Sequence, residues 1–167
     1  MKNVIIAAAM LLVASVANAE DSRESLFSQD SRPETHCLAL NIYYEARGSN
    51  RADRLAVADV VMNRVRDTRY PNTICEVVKQ GRTDANGNIL RNQCQFSWYC
   101  DGKSDVPQDI DRWIDAQQIA YMVETFQEYR GISEGATHYH ATYVNPRWAK
   151  DLQLVGRIGA HIFYRWE

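Results

Sequence analysis

The stretch CLALNIYYEARG, residues 37–48, places a glutamate where the core of the protein is expected. Read as a helix, it puts Leu38, Ile42 and Glu45 on one face, because these residues are four and three positions apart. Gly48 then supplies a residue that can end the helix. Surface helices normally turn Glu away from the core, since an unpaired buried carboxylate is costly and tends to stay protonated. The spacing therefore predicts a Glu45 carboxyl at the edge of the core.

A glutamic acid that stays protonated near neutral pH is the group that general acid catalysis of glycoside cleavage requires. We therefore predict Glu45 as a catalytic acid. The helix pattern leaves one alternative open. In a slightly rotated helix, Glu45 would instead form a surface ion pair with Arg47 or Arg64.

The length and composition are those of one globular domain. A chain of 167 residues is large enough to bury a core. The net charge is −2 and no long run of like charge occurs, which disfavours nucleic-acid binding. The nine tyrosines and four tryptophans suit sugar faces and ordinary cores equally well.

The N-terminus has the features of a signal peptide. Lys2 is followed by an almost wholly apolar run at residues 4–16 and by the small-residue motif Ala17-Asn18-Ala19. The run is shorter than the about 20 residues that a membrane span needs, although an uncleaved anchor is the alternative. We predict that residues 1–19 are removed, that residues 20–32 form a polar leader, and that residues 33–167 form one exported domain. The expected location is the periplasm or the extracellular space, with no stable membrane span.

Export changes the interpretation of the four cysteines. They are an even set in an oxidising compartment, where disulfides persist. Four cysteines allow three pairings, and the sequence alone does not choose among them. We favour Cys94 with Cys100 and Cys37 with Cys75. A four-cysteine zinc site would need paired C-x-x-C spacing, which is missing, so we predict no metal and no cofactor.

The periodicity predicts an α+β fold that is mostly helical, with a small antiparallel sheet built from the middle and the end of the chain. A hairpin tip is expected at Asn86-Gly87, followed by an extended piece at residues 95–98. A short Pro146-led helical turn separates the two late strands. The predicted helices cover residues 33–47, 51–68, 73–80 and 107–130, and the late strands cover residues 137–143 and 160–166.

Several segments together resemble a known family. They are NIYYEARGS, LAVADVVMNRV, YPNTICEVV, QCQFSW followed by DG, GATHYHATYVNPRW and IGAHIFY. In this order they resemble the cell-wall hydrolase family of the spore-cortex-lytic enzymes (SleB type). The resemblance implies a lysozyme-like domain that cleaves the glycan strands of peptidoglycan, with Glu45 as the catalytic acid. One departure is the loop after EARG, where this chain has Gly48-Ser49-Asn50-Arg51 instead of the family's frequent Glu or Gly-Glu-Pro-like residues.

The chemistry depends on whether a second carboxylate assists Glu45. A glycosidase usually needs two carboxylates, and no candidate has a compelling position. One acid suffices when the nucleophile belongs to the substrate, as in a lytic transglycosylase, which closes a 1,6-anhydromuramic product. We favour that reaction over a hydrolytic muramidase and keep two further alternatives: a non-catalytic peptidoglycan-binding module and a zinc amidase. The carboxylates that we considered are Asp59, Asp101, Asp105 and Glu134.

The resemblance also implies which side chains shape the cleft around the acid, with peptidoglycan glycan strands as the partner and a monomer as the expected state. Their alternative roles are to satisfy strand edges or to fill the core. A zinc site on His138, His140 and His161 lacks a further ligand and is disfavoured. The predicted substrate-binding residues are Gln95, Phe96, Ser97, Tyr139, His140, Tyr143 and Trp148.

Overall fold

The computed structural model describes residues 32–167. The predicted signal peptide and the polar leader up to residue 31 lie outside the described residues. Within the described part, no helix is both long enough and apolar enough to cross a membrane.

Residues 32–167 contain four α-helices. The second and third begin at side-chain caps: Asn50 accepts a hydrogen bond from the backbone NH of Asp53, and Thr73 accepts one from that of Glu76. The four helices are α1 (Pro33–Ala46), α2 (Arg51–Arg66), α3 (Ile74–Val78) and α4 (Ile110–Phe126).

Helix α4 is shorter than the predicted 107–130 at both ends. Asp109 caps it by accepting a hydrogen bond from the backbone NH of Arg112, so Pro107 stays in the preceding loop. At the other end, Gln127 adopts a left-handed conformation with φ 54°, which stops the helix before Gly131. Glycine was therefore not needed to end this helix.

Helix α2 is the centre of the core, as its apolar pattern predicted. Its Val57, Val60 and Val61 are fully buried, and α1 contributes the fully buried Leu38 and Ile42. The apolar residues of α2 point to more than one side, so neighbours cover most of its surface.

The strands form two separate antiparallel sheets, which corrects the prediction of one sheet built from the middle and the end. Helices and antiparallel strands together confirm the predicted α+β class. The first sheet pairs β1 (Gly81–Thr83) with β2 (Ile89–Cys94), and the second, in the order β3-β5-β4, contains β3 (His138–Ala141), β4 (Gln153–Ile158) and β5 (His161–Arg165).

Strand β4 was not predicted, and its sequence explains why. The register shifts between Leu154 and Gly156, which marks a bulge within the strand. A bulge breaks the alternation of inward and outward residues by which a strand is recognised.

The prediction of an extended piece at residues 95–98 is wrong from Ser97 onward, because Ser97–Cys100 forms a 3₁₀ helix. The Cys94–Cys100 disulfide holds its two Cα atoms 6.1 Å apart. Six residues in an extended strand would span about 20 Å, so the chain must coil between the two cysteines. A second 3₁₀ helix, Arg147–Asp151, occupies the position of the predicted Pro146-led turn.

Two disulfides connect distant and neighbouring parts of this fold. Cys37 pairs with Cys75 and thereby ties α1 to α3, while Cys94 pairs with Cys100. This is the pairing that we favoured from the sequence.

The two disulfides are expected to contribute unequally to stability. They join residues 38 and 6 positions apart, so the chain-entropy relation gives about 4 kcal/mol for Cys37–Cys75 and about 2 kcal/mol for Cys94–Cys100. Urea unfolding of the C37A/C75A and C94A/C100A double variants measures both losses. Equal losses from the two variants would contradict a stabilisation that depends on loop length.

Candidate active site

Glu45 lies in the last turn of α1, in line with the buried Leu38 and Ile42. It is itself partly buried. The hydroxyl of Tyr139, on β3, donates a hydrogen bond to Glu45 Oε2 at 3.1 Å. The carboxyl therefore lies at the edge of the core, between the end of α1 and the second sheet.

The surroundings of Glu45 favour its protonated form. Burial raises the pKa of the Glu45 carboxyl above its ordinary value. The hydrogen bond from Tyr139 and the positive charges of His161 and Arg64 act in the opposite direction, but they offset only part of this effect. A carboxyl in this state can donate a proton to a bound substrate.

The alternative of a surface ion pair does not describe Glu45. Among the ion pairs of residues 32–167, none includes it. The guanidinium of Arg47 instead lies over the ring of Tyr43, 4.9 Å from its centroid. Arg64 is buried and donates from Nε to the backbone carbonyl of Thr137 at 2.7 Å. Arg64 therefore acts on Glu45 through its charge and not as an ion-pair partner.

Tyr139 is a neutral donor held in place by its neighbours. Burial raises its pKa well above the ordinary value, and the nearby charge of Glu45 adds to the effect. The Tyr139 ring meets His161 edge-on at 5.1 Å between centroids and packs at 5.6 Å from Phe163. These contacts hold the hydroxyl in position for its hydrogen bond to Glu45.

Asp53 is a functional candidate that the sequence analysis missed. It lies in the first turn of α2, is fully buried, and accepts hydrogen bonds from His161 Nδ1 at 2.9 and 3.0 Å. A signal for it was present, because Asp53 is in line with the apolar Val57 and Val60, four and seven positions later. This is the pattern that singled out Glu45 in α1.

Two of the carboxylates considered as partners of Glu45, Asp59 and Asp101, have other roles in the structure. Asp59 is buried and accepts hydrogen bonds from the backbone NH groups of Gly131 and Ser133 and from the Ser133 hydroxyl. Asp101 accepts a hydrogen bond from the backbone NH of Lys103 in an exposed loop. Both carboxylates stabilise loops.

The predicted substrate-binding residues of β3 divide between two faces of the sheet. Tyr139 points toward Glu45, whereas the next residue, His140, points to the opposite face, as alternation in a strand requires. There His140 Nε2 hydrogen-bonds the Tyr164 hydroxyl at 3.0 Å, and Trp148 packs against the His140 ring at 5.7 Å. The structure therefore brings Tyr139 to the acid but not His140 or Trp148.

The remaining predicted binding residues differ in exposure. Tyr143 is 90% exposed and follows β3, beyond the paired residues. Gln95 and Ser97 are exposed as well, so their side chains are open to a ligand. Phe96 is buried beneath Arg64, with 5.1 Å between the guanidinium carbon and the ring centroid. Phe96 thus belongs to the core that supports Arg64.

The three histidines of the zinc amidase alternative do not converge. His138 and His140 share the outer face of β3, as predicted, whereas His161 points inward to Asp53. Burial and the charges of Arg64 and Arg69 lower the pKa of His138 to about 4. No group of three potential metal ligands occurs among residues 32–167.

A surface cavity of about 1180 Å³ lies between α3 with its preceding loop and the β1–β2 hairpin. Its lining includes Tyr70, Lys79 and Thr83 but not Glu45. The Arg64 guanidinium lies 5.3 Å from the Tyr70 ring centroid. Arg64 therefore connects the surroundings of the acid to the wall of this cavity.

Comparisons with known proteins agree with this fold. The profile of the Cell Wall Hydrolase family matches residues 48–164, and the chain belongs to this family. The match begins just after Glu45, so the role of that residue rests on its geometry and on the motif around it. No curated protein sequence matches the chain.

Two solved structures share the fold. One is the catalytic domain of the germination-specific lytic transglycosylase SleB from Bacillus anthracis, with a TM-score of 0.59 and 22% identity over 79% of this chain and 93% of that one. The other is the catalytic domain of the Bacillus cereus SleB protein, with a TM-score of 0.57 and 23% identity over 80% of this chain and 91% of that one. The predicted resemblance to SleB-type cell-wall hydrolases is confirmed.

The raised pKa of Glu45 has a consequence for stability. The folded protein holds this proton more tightly than the unfolded chain, so the associated stability is present at low pH and is lost as the pH rises through the folded-state pKa. We expect Glu45→Gln to be more stable than the wild type at neutral pH, with a difference that disappears in acid. Thermal unfolding at both pH values measures it, with the exposed Glu128→Gln as control. A variant that is less stable than the wild type at neutral pH would contradict the raised pKa.

Proposed function

We propose that the protein cleaves the glycan strands of peptidoglycan, with Glu45 as the general acid. The observation that carries the proposal is the environment of the Glu45 carboxyl. This group is partly buried, it accepts a hydrogen bond from the Tyr139 hydroxyl, and burial raises its pKa. Membership of the cell wall hydrolase family supports the substrate.

We propose that the reaction is that of a lytic transglycosylase. Glu45 donates its proton to the glycosidic oxygen as the bond from that oxygen to C1 of muramic acid breaks. The 6-hydroxyl of the same muramic acid then bonds to C1, and its proton passes to the Glu45 carboxylate. The acid is regenerated, and the product is a 1,6-anhydromuramic end. The B. anthracis relative is itself described as a lytic transglycosylase.

The buried carboxylates of α2 support a reaction that uses a single acid. A hydrolase of the usual kind presents a second carboxylate to the sugar or to a water molecule. Asp53 and Asp59 are both buried, and each accepts several hydrogen bonds from the protein. A nucleophile within the substrate removes the need for either of them.

Tyr139 assists both steps in this proposal. Its hydroxyl donates a hydrogen bond to Oε2 of Glu45. The other carboxyl oxygen of Glu45 can then carry the transferable proton. When Glu45 gives up that proton, the same hydrogen bond is made to a charged acceptor and becomes stronger. Tyr139 therefore stabilises the carboxylate that must later accept the hydroxyl proton.

The location and state of the protein are part of the proposal. Two disulfides and membership of a cell wall hydrolase family fit an exported protein. We propose that the signal peptide is removed after Ala19 and that the mature chain acts as a monomer in the periplasm or outside the cell.

Treating purified peptidoglycan with the mature protein and analysing the products by mass spectrometry tests the proposal. Anhydromuropeptides are expected. Glu45→Gln should lower their formation by about 10³-fold or more, because the amide cannot donate the proton, while Glu128→Gln should behave as the wild type.

Other products would identify the alternatives. Reducing ends would indicate a muramidase, free peptides an amidase, and an intact wall a binding module. A Glu45→Gln variant that is correctly folded by circular dichroism and still cleaves the wall would overturn the assignment of the acid.

A further inference from the structure

Asp53 and His161 form a buried network close to Glu45. Asp53 on α2 is fully buried and His161 at the start of β5 is 7% exposed, and the two are joined through His161 Nδ1 at 2.9 and 3.0 Å. An ionised carboxylate can only accept hydrogen bonds, so Nδ1 must carry a hydrogen. Asp53 therefore fixes the orientation of the imidazole ring and the position of one of its hydrogens.

The fold is built closely around Asp53. Its carboxylate also accepts hydrogen bonds from the backbone NH of Ala160, at 2.9 Å, and from the side chain of Ser49. Burial raises the pKa of Asp53, but the hydrogen bonds from His161, Ser49 and Ala160 together bring it below its ordinary value. Asp53 thus remains a carboxylate and ties the loop after α1 to the turn between β4 and β5.

That turn leaves no space for a larger residue beside Asp53. Gly159 has a φ of +57°, and a Cβ there would lie 2.7 Å from the Cβ of Asp53. Glycine meets both requirements, because it adopts positive φ without strain and has no Cβ. The close approach places the backbone NH of Ala160 and the His161 ring within hydrogen-bond distance of the carboxylate.

The network reaches Glu45 through Tyr139. The His161 ring meets the Tyr139 ring edge-on, with 5.1 Å between centroids, and the Tyr139 hydroxyl donates to Glu45 at 3.1 Å. Each member therefore restricts the position of the next, from Asp53 on α2 to Glu45 on α1.

Charge provides a second link between His161 and Glu45. The charged and titratable groups that act on Glu45 are Tyr139 from β3, His161 from β5 and Arg64 from α2. Those around His161 are Asp53, Tyr139 and Glu45. When His161 is protonated, its positive charge favours the carboxylate form of Glu45.

We propose that Asp53 and His161 are positioning residues of the reaction: they hold Tyr139 against Glu45 and stabilise the Glu45 carboxylate that exists between the two proton transfers. The inference rests on the proposed role of Glu45 as acid and then base. His161 acts on Glu45 through its ring contact with Tyr139 and through its positive charge.

A purely structural role makes a different prediction. A network that only stabilises the fold would change the unfolding temperature and the amount of active enzyme, but not the pH dependence of the rate. The discriminating measurement is therefore the pH profile of anhydromuropeptide formation on purified peptidoglycan by correctly folded variants.

The variants are His161→Gln, His161→Asn and Asp53→Asn. Loss of the imidazole charge should raise the pKa of Glu45 and move the alkaline limb of the profile to higher pH in both His161 variants. The maximal rate of His161→Gln should fall about tenfold, because Tyr139 is less well held. His161→Asn places an amide NH near the position of Nδ1, so it should recover part of the rate while keeping the shifted limb. Asp53→Asn should lower the maximal rate in the same way, because the His161 ring is then less well held.

Two matched controls come from the same elements. Asp59→Asn removes another buried carboxylate of α2, one that binds the Gly131–Ser133 loop. His138→Gln removes a histidine from the outer face of β3, where it packs on Trp148. Both should keep the wild-type position of the alkaline limb, whatever they do to stability.

An alkaline limb that stays at its wild-type position in folded His161→Gln and His161→Asn would overturn the inference. So would an equal shift in Asp59→Asn, because it would show a general response to a damaged core. Failure of the proposed function is distinguishable: the wild type would then form no anhydro products, or Glu45→Gln would still form them.

Discussion

The cost of burying the Glu45 carboxylate is the constraint on which the site depends. A charge withdrawn from water needs compensation, and here the compensation is incomplete: one hydroxyl and two positive charges at a distance act against burial without overcoming it. The carboxyl consequently favours the protonated form. A full ion pair with Arg64 or Arg47 would have made Glu45 a permanent carboxylate, unable to serve as an acid.

Three carboxyl groups of α1 and α2, those of Glu45, Asp53 and Asp59, have different surroundings. Asp53 and Asp59 are surrounded by hydrogen-bond donors, and they hold loops and turns in place. Glu45 has Tyr139 as its hydrogen-bond donor in the described part of the chain. The number of donors around each carboxyl thus separates Asp53 and Asp59 from the catalytic candidate Glu45, although all three lie on the apolar faces of helices.

Local patterns in the sequence predicted much of this arrangement. The 3.6-residue period located α1 and α2 and put Glu45 beside Leu38 and Ile42, because helix geometry fixes which residues share a face. Contacts across the chain were not predictable in this way. Two partners of Asp53, Ala160 and His161, lie more than a hundred positions away. The 3₁₀ helix at Ser97 depends on a disulfide that the sequence alone does not pair. The bulge at Gly156 concealed β4.

The protonation state of Glu45 can be measured without substrate. Carbon-13 NMR of the protein labelled at glutamate side-chain carboxyls, with the Glu45 signal assigned by its absence from Glu45→Gln, follows this group alone through a pH titration. The signal is expected to titrate above the range of an ordinary glutamate, because burial disfavours the charge. A midpoint at or below the ordinary value would show a carboxylate already ionised under working conditions, and would contradict Glu45 as the proton donor.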